Sequence, residues 1–194
     1  MEAKEKQFIV TQKWLEENGA YEDDIQDFRK YFPNSGEALE VLKWCGELDY
    51  IDFGEWLVDW LPPIYPPLEL NNLIGNLFYP NDVHIKGDVS TQECCIRGSF
   101  KVDGKLTINK LQRVFAAFVD ANEIDISGYA YIRGDVIAKV INFKGGYITG
   151  DVDANEIIND GGEIWGNVNT FTIESINGGW VAGKITYKHS DEHK

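Results

Sequence analysis

The chain has 194 residues, 43% of them hydrophobic and 13% aromatic, and a formal net charge of −14. That supplies apolar material for one sizeable core or two small ones, and no apolar run approaches the roughly 20 residues of a membrane-spanning helix. The acidic balance argues against direct binding of nucleic acid, whose phosphates are held by Lys and Arg.

Residues 1–5 read as a loose end, and Met1–Glu5 does not lead into a signal-peptide apolar region. Thr11 is a good N-cap for a first helix through Glu17, stopped by Gly19. A second helix is expected from Asp24 to Tyr31, with Ile25, Phe28 and Phe32 on one side and Pro33 ending it. Ser35 is expected to cap a third, with Glu37 and Ala38 in its first turn and Leu39, Leu42 and Leu48 facing inward. Asp49 or Asp52 opens a fourth, Phe53 to Leu61, with Phe53, Trp56, Leu57 and Trp60 on its buried stripe. Helix-spaced aromatics in so small a unit read as its core rather than as a ligand box. The sequence thus predicts an acidic helical domain over 1–61 and a Pro-rich connector over 62–70.

Residues 71–188 are expected to form a β-solenoid, followed by a polar tail over 189–194. One phrase recurs: Tyr131-Ile132-Arg133-Gly134-Asp135-Val136, then Tyr147 to Val152, Glu163 to Val168 and Trp180 to Ile185. Its last residues are spaced 16, 16 and 17 apart, and Ile132, Gly134, Val136 and Ala138 alternate as on one face of a strand. Sixteen residues are too few for a strand–helix–strand unit, which needs about 30, but they suit one coil of a parallel β-helix. A fainter copy stands at Leu73 to Leu77, full copies end at Val89 and Leu106, and a further one ends at Val119, so the anchors Val89 to Ile185 predict seven coils, about 34 Å tall at ~4.8 Å each. The residue five after each anchor is always apolar: Cys94, Leu111, Ile124, Ile141, Ile157 and Ile173. Val119 follows Leu106 by only 13 residues, which predicts a shortened or distorted coil there. Asn109, Asn122 and Asn155 are expected at left-handed turn positions, and the Gly-Gly pairs 145–146, 161–162 and 178–179 at the turns that restart each coil. The fold class is therefore mainly β, a parallel β-helix preceded by a small α-helical domain.

The phrases Gly87-Asp88-Val89, Gly134-Asp135-Val136 and Gly150-Asp151-Val152, the last two followed by a small residue and then Ile (Ala138 and Ile141, Ala154 and Ile157), resemble those of the bactofilins. These are polymer-forming bacterial cytoskeletal proteins. The likeness covers roughly residues 83–187 and implies a right-handed β-helix whose unblocked ends stack into filaments. The segment from Phe28 through Pro33 and Val41 to Leu57 loosely resembles the helical leaders of uncharacterised phage and bacterial repeat proteins. Bactofilin cores carry short disordered tails, so a folded helical domain at the first coil departs from that pattern, and a helical cap that blunts the open edge argues against filament formation. Together the two likenesses imply a cytoplasmic protein of a bacterial cell or a phage-infected host.

The chemistry-bearing residues are few. Cys45, Cys94 and Cys95 form no CxxC pair and leave an odd count, which fits a reducing compartment, and no His or acid stands at metal-ligand spacing beside the vicinal pair. Of the three histidines, His84 reads as a surface residue of the first coil, and His189 and His193 lie in the tail. Asp120 with Asp153, and Glu123 with Glu156, hold equivalent positions two coils apart, about 9.6 Å, with Ile137 and Val140 between them, which reads as solvated decoration. No enzyme, metal or cofactor is expected, and a β-helix enzyme is retained only as a remote alternative.

Residues 1–70 carry 16 acidic and 6 basic residues, and Trp44 to Ile85 contains no Lys or Arg. Such a field attracts basic protein surfaces. The leading expectation is a non-catalytic protein-binding module, using Glu47, Asp49, Asp52, Glu55 and Asp59. Its sharper form is a counter-defence factor, anti-CRISPR or anti-restriction, that occupies the basic groove of a nucleic-acid-binding host complex. The alternative is a bactofilin-like scaffold that self-associates through the last coil at Trp180 and Val181. A homodimer closed through that coil is compatible with the first reading and is expected.

Overall fold

A computed structural model describes residues 7–91 and 93–189. The loose end expected at residues 1–5, and the polar tail expected at 189–194 beyond His189, lie outside the described residues.

The chain opens with a short strand, β1 (Ile9–Thr11), and helix α1 (Gln12–Glu17). Thr11 caps α1 as the sequence predicts, its hydroxyl accepting the Trp14 amide at 3.1 Å, and Gly19 takes φ +79° just past the end. Helix α2 (Glu22–Tyr31) starts two residues before the expected position. No side chain caps it, but Glu22, Asp23 and Asp24 fill its first turn, where carboxylates complement the helix dipole.

Ser35 does not cap the next helix. Ser35–Glu37 is strand β2, antiparallel to β1 with Val10 opposite Gly36. A β-carbon on Gly36 would stand 2.6 Å from Val41 Cγ2, so only glycine fits there. The cap of α3 (Ala38–Glu47) falls to Glu37, whose carboxylate accepts the Glu40 amide. Helix α4 (Ile51–Trp60) follows.

Ile25, Phe28, Val41, Leu42, Cys45, Phe53 and Leu57 form the buried centre of the helical unit, with Trp44 stacked on Tyr50 at 4.4 Å. The aromatic stripes are thus core, with two corrections. Trp60 remains half-exposed, stacked on Trp56 at 5.8 Å, and Leu48 is exposed.

The rest is a parallel β-solenoid of about seven turns. It begins earlier than expected. Leu68–Leu70, assigned above to the connector, is its first strand and pairs with Val83–Ile85. Each coil carries three strands, and the coils stack as three parallel ladders. Inward residues of the first ladder are Val83, Phe100, Val119, Val136, Val152, Val168 and Ile185. Those of the second include Leu73, Val89, Leu106, Ile124, Ile141, Ile157 and Ile173. Those of the third include Leu77, Cys94, Val114, Ile148, Ile164 and Val181.

This registration removes the shortened coil. Leu106 pairs with Ile124, and Val119 pairs with Phe100, so the 13-residue step joins two different faces rather than two coils of one face. It also corrects Leu111, which is 74% exposed because Asn109-Lys110-Leu111 bulges from the coil and Val114 takes the place over Cys94. The left-handed residue of that bulge is Lys110 at φ +60°, not Asn109; Asn122 and Asn155 also lack a positive φ. Gly145, Gly146, Gly161 and Gly178 do take positive φ at the turns.

The recurring phrase has a mechanical origin. A β-carbon on Gly150 would lie 2.2 Å from the Gly134 carbonyl oxygen, and one on Gly166 the same distance from that of Gly150. The following Asp accepts the next coil's amide: Asp135 from Asp151 at 2.9 Å, and Asp151 from Asn167 at 2.7 Å. Glycine permits the close approach, and the carboxylate satisfies an amide that the turn would leave bare.

Candidate protein-binding surface

The acidic residues singled out in the sequence sit on the end of α3, the start of α4 and the turn between them. Glu47 is exposed and pairs with Lys43 at 3.6 Å. Asp49, at φ +59°, accepts from Asn76 Nδ2 at 3.0 Å, and the same amide donates to the Gly46 carbonyl, which ties the α3–α4 turn to the first coil. Asp52, Glu55 and Asp59 follow at helical spacing along α4, so they share one side of it.

That side is not a bare acidic stripe. Helix α4 packs on the third face of the first two coils, with Gly54 against the Phe78 ring and Cys95 buried beneath the helix. The solenoid returns two arginines. Arg97 donates to the Leu61 carbonyl at 2.5 Å and to that of Val58, satisfying carbonyls at the C-terminal end of α4. Arg113 bonds Glu93 through Nε at 2.9 Å and reaches Glu55 at 3.5 Å. The stretch without Lys or Arg is local in sequence only, because the fold supplies its cations from residues 97 and 113.

Partial burial sets the charge balance of this seam. Desolvation pushes Glu55 up to about 7, only partly opposed by Arg113 and reinforced by Glu93, Asp52 and Asp59. Glu93 is raised by the same burial, against its bond to Arg113. Burial works against the Arg113 charge, but Glu93 and Glu55 outweigh it and hold the guanidinium above its ordinary range. Asp52 and Asp59 are exposed and make no ion pair among the described residues.

Above α4 the third face continues as an aromatic ladder that sequence reasoning did not single out. Phe115, Tyr131, Tyr147 and Trp165 stand on successive coils, with centroids 5.4, 4.6 and 5.7 Å apart and the last two pairs stacked. Trp180 follows on the final coil. The signal was legible: the first residue of each repeat phrase is Tyr131, Tyr147, Glu163 or Trp180, one column on one outward face. Between α4 and the foot of the ladder lies a cleft of about 370 Å³, lined by Glu55, Asp59, Arg97, Phe115 and Arg133 among others.

The remaining candidates are placed as follows. Asp153 holds Lys188 and, at 2.8 Å, Asn169, and Glu123 holds Lys105 at 2.7 Å, with Ile137 and Val140 in the coil between the acidic pairs. Lys188, at the expected end of the solenoid, is half-buried and lies over the Phe171 ring. His84 faces Asp103 at 2.9 Å on the coil above. The three thiols are free and buried, and burial pushes Cys94 and Cys95 up to about 12. Among the described residues no three His, Cys, Asp or Glu side chains group as metal ligands, and no helix is long and apolar enough to cross a membrane. Trp180 is half-exposed and Val181 partly buried on the last coil. Nothing stacks above them among the described residues, and Ile176, Ile185 and Tyr187 are also exposed there.

Comparison of the chain with protein-family models, with curated proteins and with solved structures returns no match.

Proposed function

We propose that the protein is a non-catalytic binding module that engages a basic protein surface through α4 and the adjoining third face of the solenoid. The observation that carries this reading is the juxtaposition of Asp52 and Asp59, exposed without ion-pair partners among the described residues, with a contiguous ladder of partly exposed aromatic rings. Tyr and Trp give large contact area at low entropic cost, and exposed carboxylates without a direct ion pair beside them favour a cationic partner. A basic nucleic-acid-binding complex of a bacterial host fits that chemistry, with the module blocking its groove as a counter-defence protein would.

The test is affinity capture from bacterial lysate, with the wild type compared with Asp52→Lys/Asp59→Lys at low and high salt. Retention of a basic nucleic-acid-binding protein by the wild type only, with release by salt, is the expected result. Retention insensitive to both changes would overturn the reading.

A second reading is favoured by the last coil. Its exposed Ile176, Trp180, Ile185 and Tyr187 form an apolar end with unpaired strand edges, which suits end-to-end association of the bactofilin kind.

A further inference from the structure

The aromatic ladder does not repeat uniformly, and where it changes it leaves a seat. Two outward columns run up the third face. Glu163 is registered with Tyr147 on the coil below and with Trp180 on the coil above, so its backbone position lies between two aromatic residues of one column, a coil spacing of about 4.8 Å from each. Trp165 stands beside it in the other column, and its Nε1–H donates to Glu163 Oε2 at 3.0 Å. Glu163 Oε1 makes no hydrogen bond among the described residues. Trp165 is 54% exposed and Trp180 53% exposed.

The same molecule shows what such a position accepts. Lower in the Trp165 column, Phe115 carries the guanidinium of Arg133, from the coil above it, at 5.6 Å from its centroid, and Arg113 approaches the same ring at 5.5 Å. Over Trp165 the corresponding residue is Ala182, because Ile164 is registered with Val181. Alanine leaves the upper part of the indole bare. Indole is the strongest cation–π partner among the side chains, and here a carboxylate with a spare oxygen stands beside it.

We infer that Trp165, Trp180 and Glu163, with Tyr147 beneath, form a seat for a guanidinium, supplied by an arginine of the basic partner. The inference rests on the reading of the protein as a binder of basic surfaces and names the side chain that anchors it. Charge complementarity selects the occupant: among the described residues the seat holds one carboxylate and no ion-paired cation, in a chain of net charge −14. A guanidinium fits better than an ammonium because its planar face stacks on indole while its edge donates to Glu163.

The experiment titrates capped arginine (N-acetyl-arginine amide) into the full chain and follows the Trp165 and Trp180 indole N–H resonances by NMR. Capped lysine and choline serve as comparison cations. Saturable shifts at millimolar capped arginine are expected. Trp165→Ala and Glu163→Gln should each weaken binding about threefold to tenfold, in line with single cation–π and charge-assisted contacts. Ala182→Arg, at an exposed position, should fill the seat from within and abolish the shifts while leaving the fold intact.

Binding unchanged in Trp165→Ala and Ala182→Arg would overturn the inference, as would no binding of capped arginine. Equal affinity for choline or capped lysine would overturn the guanidinium assignment. If a basic partner is captured and Ala182→Arg does not affect it, the inference falls and the broader reading stands. If none is captured while capped arginine still binds at the seat, the broader reading alone falls.

Discussion

The amide of Asp151 donates to the carboxylate of Asp135 one coil below, at 2.9 Å, and Gly150 rests on the Gly134 carbonyl with no room for a β-carbon. The repeated Gly-Asp phrase is therefore a stacking device, and its conspicuous carboxylates are already committed to the backbone. Gly150→Ala should destabilise the protein by about 1–3 kcal/mol, the usual cost of forcing atoms into a filled site, as read by urea denaturation. Asp135→Asn, which keeps an acceptor, should cost much less than Gly150→Ala. Equal stability of the wild type and Gly150→Ala would refute the close packing of these coils.

Arg113 joins the helical unit to the solenoid. Arg113→Ala leaves Glu93 and Glu55 half-buried without their cation, and a loss of about 1–3 kcal/mol is expected. Hydrogen exchange should show α4 opening before the upper coils. Uniform acceleration across the chain would mean that Arg113 does not hold this seam in particular.

Glu55 gives the seam a pH dependence of definite sign. Its folded value, about 7, lies above its ordinary value of 4.5, so between these limits the folded state binds more protons than the unfolded chain. The Glu55 contribution is thus fully present below about pH 4.5 and is lost as pH rises through about 7. Glu55→Gln should flatten the fall in Tm over that window. An unchanged slope would show that Glu55 is not the group responsible.

Assembly through the last coil should stop at two chains. Helix α3 lies against the first coil, with a cleft of about 480 Å³ between them lined by Leu39, Leu42, Leu68 and Leu77 among others, so the two ends of the solenoid are not equivalent. The amide ladder also ends at the last coil: Asn167 accepts from Lys184 at 3.0 Å, and the lysine head has no acceptor to offer a further coil. Light scattering should give 22.0 kDa or twice that mass, and Ile185→Asp or Val181→Asp should shift any dimer to monomer. Void-volume filaments would show that the helical unit does not block polymerisation.

The period and its β character were legible because a solenoid coil must repeat its inward residues at nearly constant spacing, as Val136, Val152 and Val168 do. The helices were legible from the Thr11 cap, the Pro33 stop and the apolar spacing of Phe53 and Leu57. Only the tertiary structure decided which face each anchor serves. Val89 and Val119 read alike as sequence, yet they lie on different ladders, Val89 stacking under Leu106 and Val119 over Phe100. The same holds for charge: Trp44 to Ile85 is devoid of cations along the chain, yet Arg113 sits 3.5 Å from Glu55, since α4 packs on the third face of the solenoid and meets a residue 58 positions further along. Local propensity and periodicity are properties of neighbouring residues and can be read in order. Registration between coils, and hence the neutralised seam and the open Trp165, is set by which residues stack. That was fixed only when the coils closed on one another.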